Sequence, residues 1–225
     1  GDEIPTGELP PSLLDCIQAR FAHEGRGSFS RLLVAGQVTD KFGNGESLMD
    51  LIVYLNEQSE NCTITGFGLQ QAQSCAILVE CLPDSVPSFL RGLLQLTTVN
   101  NLRVISSSED VGVQYFLPFQ IVSVTLQKEG EIDLEVDSGD LTTAGSDVYV
   151  RLLQIGQHMK EGSEKSYSKF STIHSSKLPS NERVVALSNC DGFFTVTEYL
   201  KVFSDPVHLV LESDLVWPME KPLEY

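Results

Sequence analysis

Residues 63–81 have the sequence TITGFGLQQAQSCAILVEC, in which two apolar runs flank a polar connection. The runs extend over Thr63–Leu69 and Ser74–Cys81. The connection carries three glutamines, Gln70, Gln71 and Gln73. Short apolar runs bounded by turn residues are typical of paired strands. We therefore predict a β-hairpin, with the three glutamines as solvated loop residues.

Helical and strand patterns alternate on both sides of this hairpin. Apolar residues at helical spacing predict two helices, and short apolar runs predict three more strands. The predicted helices are Ser47–Glu57 and Pro83–Leu96, and the further strands are Ser30–Thr39, Asn101–Ser106 and Tyr115–Leu126. Pro118 interrupts the last strand, which suits a sheet edge or a bulge better than a central position. The order βαββαββ predicts an α+β sandwich of the ferredoxin-like kind, with both helices on one face of the sheet.

An acidic segment follows the predicted sheet. Residues 129–150 contain no basic residue, and the alternation in residues 131–137 predicts a strand with an acidic solvent face. A calcium-binding loop that starts at Asp133 is disfavoured, because its sixth and twelfth positions are Ser138 and Ala144 instead of glycine and glutamate.

In the remainder of the chain we predict helices and strands on both sides of a polar loop. We predict a helix that opens at Ser146, a strand at the end of Asn181–Leu187, a helix opened by the capping box Thr195–Glu198, and a strand over Val207–Leu211. The inward residues of the first helix are predicted to be Val148, Tyr149, Leu152, Leu153 and Met159, and those of the second Val196, Tyr199, Leu200 and Phe203. The resulting division is a leader at 1–29, a domain at 30–126, and an extension at 127–225 with a flexible loop at about 160–177.

The net charge and the cysteines of the sequence exclude some classes of function. Nucleic-acid binders need a basic face, which 15 Lys+Arg against 31 Asp+Glu and a net charge of −16 do not supply. Anionic membrane surfaces are disfavoured for the same reason, and no stretch approaches the ~18 apolar residues of a membrane span. The 5 cysteines form no CxxC pair, which is typical of reduced thiols. We predict a cytoplasmic protein that binds no nucleic acid and does not insert into membranes.

The sequence contains no arrangement typical of catalysis. The histidines are His23, His158, His174 and His208, and no two of them have the spacing of paired metal ligands. Patterns such as GxSxG, GxGxxG and the P-loop are missing. Glu80 stands near the end of a strand, where one exposed carboxylate is commonplace. We predict no enzymatic activity, no catalytic residue and no bound metal.

The element order, the segment Ile64-Thr65-Gly66 that opens the hairpin, and Glu80 near its end resemble the BLUF domain, a blue-light sensor that uses flavin. The resemblance covers residues 30 to about 125. It implies that a tyrosine on the first strand hydrogen-bonds a glutamine on the third, that this glutamine contacts the flavin, and that an asparagine at the end of the first helix holds the ring. In this sequence the tyrosine position falls at or near Gln37, the glutamine position at Ile77 and the asparagine position near Ser59.

Isoleucine neither donates nor accepts a hydrogen bond, so Ile77 cannot take part in a tyrosine–glutamine switch. An apolar residue at that position is expected to fill the site with core. We therefore predict a BLUF-like domain that has lost flavin photochemistry and holds no cofactor.

The C-terminal part resembles a second, narrower family. The segments TVTEY at 195–199 and LESDLVWP at 211–218 are similar to the testis-expressed protein 47 family, which has a degenerate BLUF-like domain and is associated with the sperm tail. This resemblance implies a structural protein of the ciliary or flagellar axoneme. Because the outer surface of tubulin is itself acidic, a chain at −16 is expected to contact other axonemal proteins, and tubulin only indirectly.

Aromatic and basic side chains exposed together are common anchors for partners. The residues predicted to contact partners are Lys160, Lys165, Tyr167, Lys169, Phe170 and Trp217. Two alternatives stay open: a flavin- or nucleotide-binding sensor that uses the cleft between the two helices in an unfamiliar way, and an enzyme with an unfamiliar site.

Overall fold

The computed structural model describes residues 12, 28–39, 46–58, 63–124, 141–161 and 178–204. The strands are β1 (Phe29–Val38), β2 (Thr65–Gln70), β3 (Ser74–Cys81), β4 (Val99–Val111) and β5 (Gln120–Ser123). The α-helices are α1 (Glu46–Gln58), α2 (Val86–Leu93), α3 (Leu141–Glu161), α4 (Asn181–Asn189) and α5 (Val196–Phe203), and a 3₁₀ turn at Pro83–Ser85 precedes α2.

The strands form one sheet in the order β4-β1-β3-β2-β5. Neighbouring strands are antiparallel, except that β5 runs parallel to β2. This arrangement confirms the predicted α+β class and the BLUF-like, ferredoxin-like βαββαββ order. Pro118 precedes β5, which lies at the sheet edge as its proline suggested.

The β2–β3 hairpin has the predicted position. Its register pairs Thr65 with Glu80 and Gln70 with Cys75. Gly66 has a φ of 131°, and a Cβ there would collide with the carbonyl oxygen of Leu78. Only glycine adopts this conformation without strain, so the glycine of the Ile64-Thr65-Gly66 segment is a requirement of the hairpin.

One face of the sheet is covered by α1, α2 and α5. We call the buried cluster on this face the first core, and it contains Leu32, Val34, Ile77 and Val79 of the strands together with Ile52, Phe89 and Leu200 of the helices. The prediction that the two helices of the βαββαββ unit share one face is therefore confirmed.

The opposite face of the sheet is covered by α3 and α4. The cluster on this face, the second core, contains Leu33, Ala35, Phe67 and Leu78 of the strands and Val148, Leu152 and Val184 of the helices. Gly156 of α3 lies directly against the ring of Phe116, so that a Cβ at this position would overlap the ring. The two helices are joined through Asp147, which accepts hydrogen bonds from Arg151 and Arg183.

Three sequence predictions about these helices were wrong. Residues 181–189 form a helix instead of ending in a strand, because the Ser180 hydroxyl accepts from the backbone N–H of Arg183 and the buried Val184 and Leu187 recur at helical spacing. Helix α3 begins at Leu141, ahead of Ser146. Phe203 is 61% exposed instead of facing inward. The capping box at Thr195 is present as predicted.

Several predictions fall outside the described residues. These are the strands at 131–137 and 207–211, the side chain of Met159, most of the leader at 1–29 and most of the loop at 160–177. The division at residue 126 into a domain and an extension stays a prediction. Among the helices that the structure describes, none has both the length and the apolar character needed to cross a membrane.

Candidate functional site

The cross-strand pair at the centre of the first face is Val34 and Ile77. They lie opposite each other on β1 and β3, and both are completely buried in the first core. Ile77 therefore fills its site with hydrocarbon, as predicted. The residue that faces it across the sheet is Val34, three residues before Gln37.

The side chain of Gln37 connects β1 to α4. Gln37 pairs with Ser74 across the sheet, and its side-chain amide donates to Oδ1 of Asn189 on α4 at 2.8 Å. It therefore reaches toward α4, on the face opposite to Ile77. The register shift in the β1–β4 pairing between Ala35 and Gln37 is a feature that the sequence pattern did not predict.

No open cleft separates α1 from α2 at Gly92. The methyl groups of Leu51 on α1 occupy the place where a Cβ of residue 92 would stand. Phe89 and Leu90 on α2 and Ile52 on α1 are buried in the first core. The two helices are therefore in direct contact at Gly92.

The position assigned to the ring-holding asparagine, Ser59, lies outside the described residues. An asparagine does occur nearby, in the last turn of α1. The side-chain oxygen of Asn56 accepts a hydrogen bond from the backbone N–H of Ile64 at 2.8 Å. Asn56 thus ties the end of α1 to the entrance of β2.

The turn glutamines are less solvated than predicted. Gln71 is buried, and its amide donates to the carbonyl oxygen of Pro179 at 2.7 Å. Gln70 is the last residue of β2 and accepts from the hydroxyl of Ser123 on β5. The prediction fails for both because residues that pack against the hairpin from distant parts of the chain supply hydrogen-bond partners, which satisfies buried amides.

Glu80 is completely buried, which corrects the prediction of an exposed carboxylate. Its side chain lies on the second face and accepts from the hydroxyl of Thr65 at 2.8 Å and from the backbone N–H groups of Tyr115 and Phe116 at 2.8 and 3.2 Å. The charge is matched by Arg31, whose Nη2 lies 2.6 Å from Oε1. A buried carboxylate persists only with such partners.

Arg31 is enclosed by aromatic rings. Its Cζ lies 4.9 Å from the ring centroid of Tyr115 and 5.7 Å from that of Phe116, which are cation–π distances. Burial opposes the guanidinium charge, but hydrogen bonds to Tyr149 and Glu80 outweigh it, so the pKa of Arg31 is raised above its ordinary value. The guanidinium therefore remains charged, and the pair holds the β4–β5 connection against the sheet.

No group of three or more histidine, cysteine, aspartate or glutamate side chains in the described parts of the chain is placed to hold a metal ion. The side chains of Cys75 and Cys81 are both buried. Burial raises the pKa of Cys75 to about 12, which keeps it protonated and unreactive at neutral pH.

The structure does not test the predicted partner-binding residues. Lys160 lies in α3 without a described side chain, and the other five lie outside the described residues: Lys165, Tyr167, Lys169, Phe170 and Trp217. Their role stays a prediction.

A different exposed aromatic group lies at α5. Phe194 and Phe203 are 48% and 61% exposed, and their ring centroids are 6.1 Å apart in an edge-to-face arrangement. Phe203 also stacks on Tyr199, at 4.6 Å between centroids. We call Phe194, Val202 and Phe203 the α5 surface. The sequence pattern assigned Phe203 to the core because helical spacing alone does not show which end of a helix extends beyond the elements that it packs against.

Comparisons with known proteins give structural matches only. No protein-family model and no curated protein matches the sequence. A bacterial light-regulated adenylyl cyclase matches at 14% identity and a TM-score of 0.38, over 58% of this chain and 39% of the cyclase chain. The BLUF domain of BlrP1 matches at 14% identity and a TM-score of 0.34, over 41% of this chain and 63% of that chain. BlsA in its photo-activated state matches at 11% identity and a TM-score of 0.35, over 72% of this chain and 96% of that chain.

The matched BlrP1 protein is from Klebsiella pneumoniae, and one of its structures contains FMN and cyclic diGMP. At this level of similarity, no residue role, ligand or activity is transferred to the present chain. Each of these proteins is light-regulated, photo-activated or a BLUF domain. The resemblance to the testis-expressed protein 47 family and the axonemal location stay predictions.

Proposed function

We propose that the chain is a non-enzymatic interaction module, in which a BLUF-like sheet has exchanged its ligand-binding face for a closed apolar core. The observation that carries this proposal is the Val34–Ile77 pair, buried to 0% exposure at the centre of the first face. Two facing hydrocarbon side chains cannot form the hydrogen-bonded tyrosine–glutamine pair that the BLUF resemblance requires. Leu51 of α1 is seated against Gly92 of α2, so that the two helices are in contact at this point.

The surface of the module supports a binding role. The α5 surface exposes two phenylalanine rings and Val202, which is 51% exposed. Exposed apolar side chains grouped in this way mark interaction sites more often than single ones do, and aromatic residues are enriched among binding hot spots. The site is carried by a capped helix packed on the first core, so its rings are presented on a rigid support.

A more specific proposal concerns the location of the protein in the cell. The resemblance of the C-terminal segments to the testis-expressed protein 47 family favours a structural component of the ciliary or flagellar axoneme. The net charge of −16 makes direct electrostatic coating of acidic tubulin unfavourable, so contacts to other axonemal proteins through apolar surfaces are expected instead.

The test uses the full chain and isolated axonemal doublets. Co-sedimentation is measured before and after a high-salt wash for the native sequence, for Phe194→Ala/Phe203→Ala, and for Val150→Ala, a matched exposed residue on α3. We expect the native chain and the Val150 variant to remain bound and the double variant to be lost. Release of every form by salt would contradict the axonemal proposal, and equal retention of the double variant would contradict the role of the α5 surface.

A second candidate is a sensory domain that binds a flavin or a nucleotide. The closed α1–α2 contact at Gly92 argues against the predicted cleft between those helices, so a ligand would need another place. The structure offers a cavity of ≈ 380 Å³ at the start of β4, which favours this candidate enough to test it. Visible absorbance and flavin fluorescence of protein purified from riboflavin-fed cells distinguish the two: a stoichiometric flavin would favour the sensor.

A further inference from the structure

The cavity at the start of β4 lies between the end of α2, the end of α4 and the beginning of α5, and its volume is ≈ 380 Å³. Its floor consists of the buried apolar side chains Leu93, Val99, Leu102 and Val196. Binding pockets for small molecules have volumes of about 300–1,000 Å³ and mostly apolar walls. The cavity is therefore in the range that suits a single small ligand.

The rim of the cavity carries amide and hydroxyl groups. Asn189 Oδ1 accepts from Gln37 at 2.8 Å and from the amide nitrogen of Asn101 at 3.3 Å. This network leaves the amide nitrogen of Asn189 and the side-chain oxygen of Asn101 without a hydrogen bond in the described part of the chain. The side chains of Asn100 and Thr197, also on the rim, are exposed and likewise unpaired there. Donors and acceptors thus converge above an apolar floor.

The charges around the cavity disfavour anionic ligands. Among the described residues that line it, none carries a carboxylate, and the one charged group is Arg103. Arg103 is already engaged: it donates to the carbonyl oxygens of Ser188 and Phe193 at 3.0 and 2.7 Å and to the carboxylate of Asp191 at 2.7 Å. A phosphate would gain no free cation from these lining residues, and the net charge of −16 would repel it.

We propose that this cavity binds a neutral, planar nitrogen heterocycle, of the size of a nucleoside base or the ring of an unphosphorylated flavin. The apolar floor matches the face of such a ring, and the neutral amides of the rim match the donors and acceptors along its edge. The inference rests on the sensory candidate, to which the same cavity belongs, and it does not depend on the α5 surface. Its function would be to let a small metabolite change the packing of α4 and α5 against β4.

The experiment titrates the full ¹⁵N-labelled chain with adenosine, guanosine and riboflavin, and separately with AMP and FMN. Chemical shifts of the side-chain amides of Asn100, Asn101 and Asn189 are followed. We expect saturable shifts with at least one neutral compound, and weaker binding of its phosphorylated form. The separate arms distinguish a base from a flavin ring as the preferred ligand.

Two variants locate the site. Asn100→Ala/Thr197→Ala removes rim groups that make no hydrogen bond within the described residues, so it is expected to leave the fold intact and to weaken binding about tenfold. Asn100→Trp is expected to obstruct the cavity and abolish binding. Thr143→Ala, an exposed threonine on α3, is the matched control and should bind normally. The proposal is overturned if no neutral compound shifts these amides, if the phosphorylated forms bind more tightly, or if neither cavity variant alters the affinity.

Discussion

Arg31 and Glu80 are neighbours across β1 and β3, and two guanidinium nitrogens of Arg31 donate to the same oxygen of Glu80, Nε at 2.8 Å and Nη2 at 2.6 Å. The other carboxylate oxygen accepts from Thr65, Tyr115 and Phe116. One buried side chain therefore joins β1, β2 and the connection between β4 and β5. This polar cluster lies on the second face, away from Ile77, so its role is to hold the fold together.

Removal of the Glu80 carboxylate should be strongly destabilising. Glu80→Leu leaves the buried Arg31 charge and two backbone N–H groups unpaired, and we expect the free energy of unfolding to fall by about 3–5 kcal/mol. Arg31→Met/Glu80→Leu should recover part of this loss, because no charge then remains buried without a partner. Urea unfolding of the two variants provides the measurement, and a double variant no more stable than Glu80→Leu would contradict the explanation.

Helix α3 should tolerate no side chain at Gly156. A Cβ there would overlap the ring of Phe116, so Gly156→Ala should lower stability by about 1–2 kcal/mol despite alanine's higher helix propensity. Gly112→Ala is the matched control, because a Cβ at that position meets no atom within 4 Å. Thermal denaturation should show a lower Tm for the Gly156 variant and a nearly unchanged one for the control. Equal Tm values would show that α3 moves away from the ring without cost.

Restoring the polar pair should not restore a flavin site. Ile77→Gln buries an amide in the first core and is expected to cost about 2–4 kcal/mol. Val34→Tyr/Ile77→Gln should retain no more flavin than the native chain after growth with riboflavin, because Leu51 still closes the contact with α2. Chemical denaturation measures the loss of stability, and visible absorbance measures the flavin retained by each protein. A double variant that retains more flavin than the native chain would mean that only the two polar groups were lacking.

The thiol of Cys75 should contribute to stability in a pH-dependent way. Its pKa is raised by burial to about 12 from an ordinary value of 9.0, so between these values the unfolded chain loses a proton that the folded chain keeps. This contribution is complete below pH 9.0 and is lost as the pH rises toward about 12, by up to about 1.4 kcal/mol for each pH unit.

Other groups also titrate in this range, so the useful quantity is the difference between the native chain and Cys75→Ala. We expect the stability advantage of the native chain to shrink above pH 9. Alkylation of the native protein at pH 8 should modify Cys190, which is partly exposed, well before Cys75. Rapid modification of Cys75 in the folded protein would contradict the burial of its side chain.

The sheet was predictable from local pattern, and the helices after it only in part. Strands β1 to β3 are short apolar runs between turn residues. Such runs are typical of strands in a sheet whose two faces are both buried. Residues 181–189 were misassigned because Val184 and Val185 favour strands by propensity, whereas the cap at Ser180 and contact with the second core favour the helix. Tertiary contact outweighed propensity.

The sequence by itself determined that Ile77 cannot hydrogen-bond a chromophore and that Thr195 begins a helix, because both follow from the chemistry of single side chains and their near neighbours. Only the tertiary structure decided that Val34 is the residue facing Ile77, that Glu80 is buried, and that three amides meet at one cavity. The register of the strands, the burial of Glu80 and the placement of the amides around one cavity all depend on residues far apart in the chain. Packing between the local elements decides these features after the elements have formed.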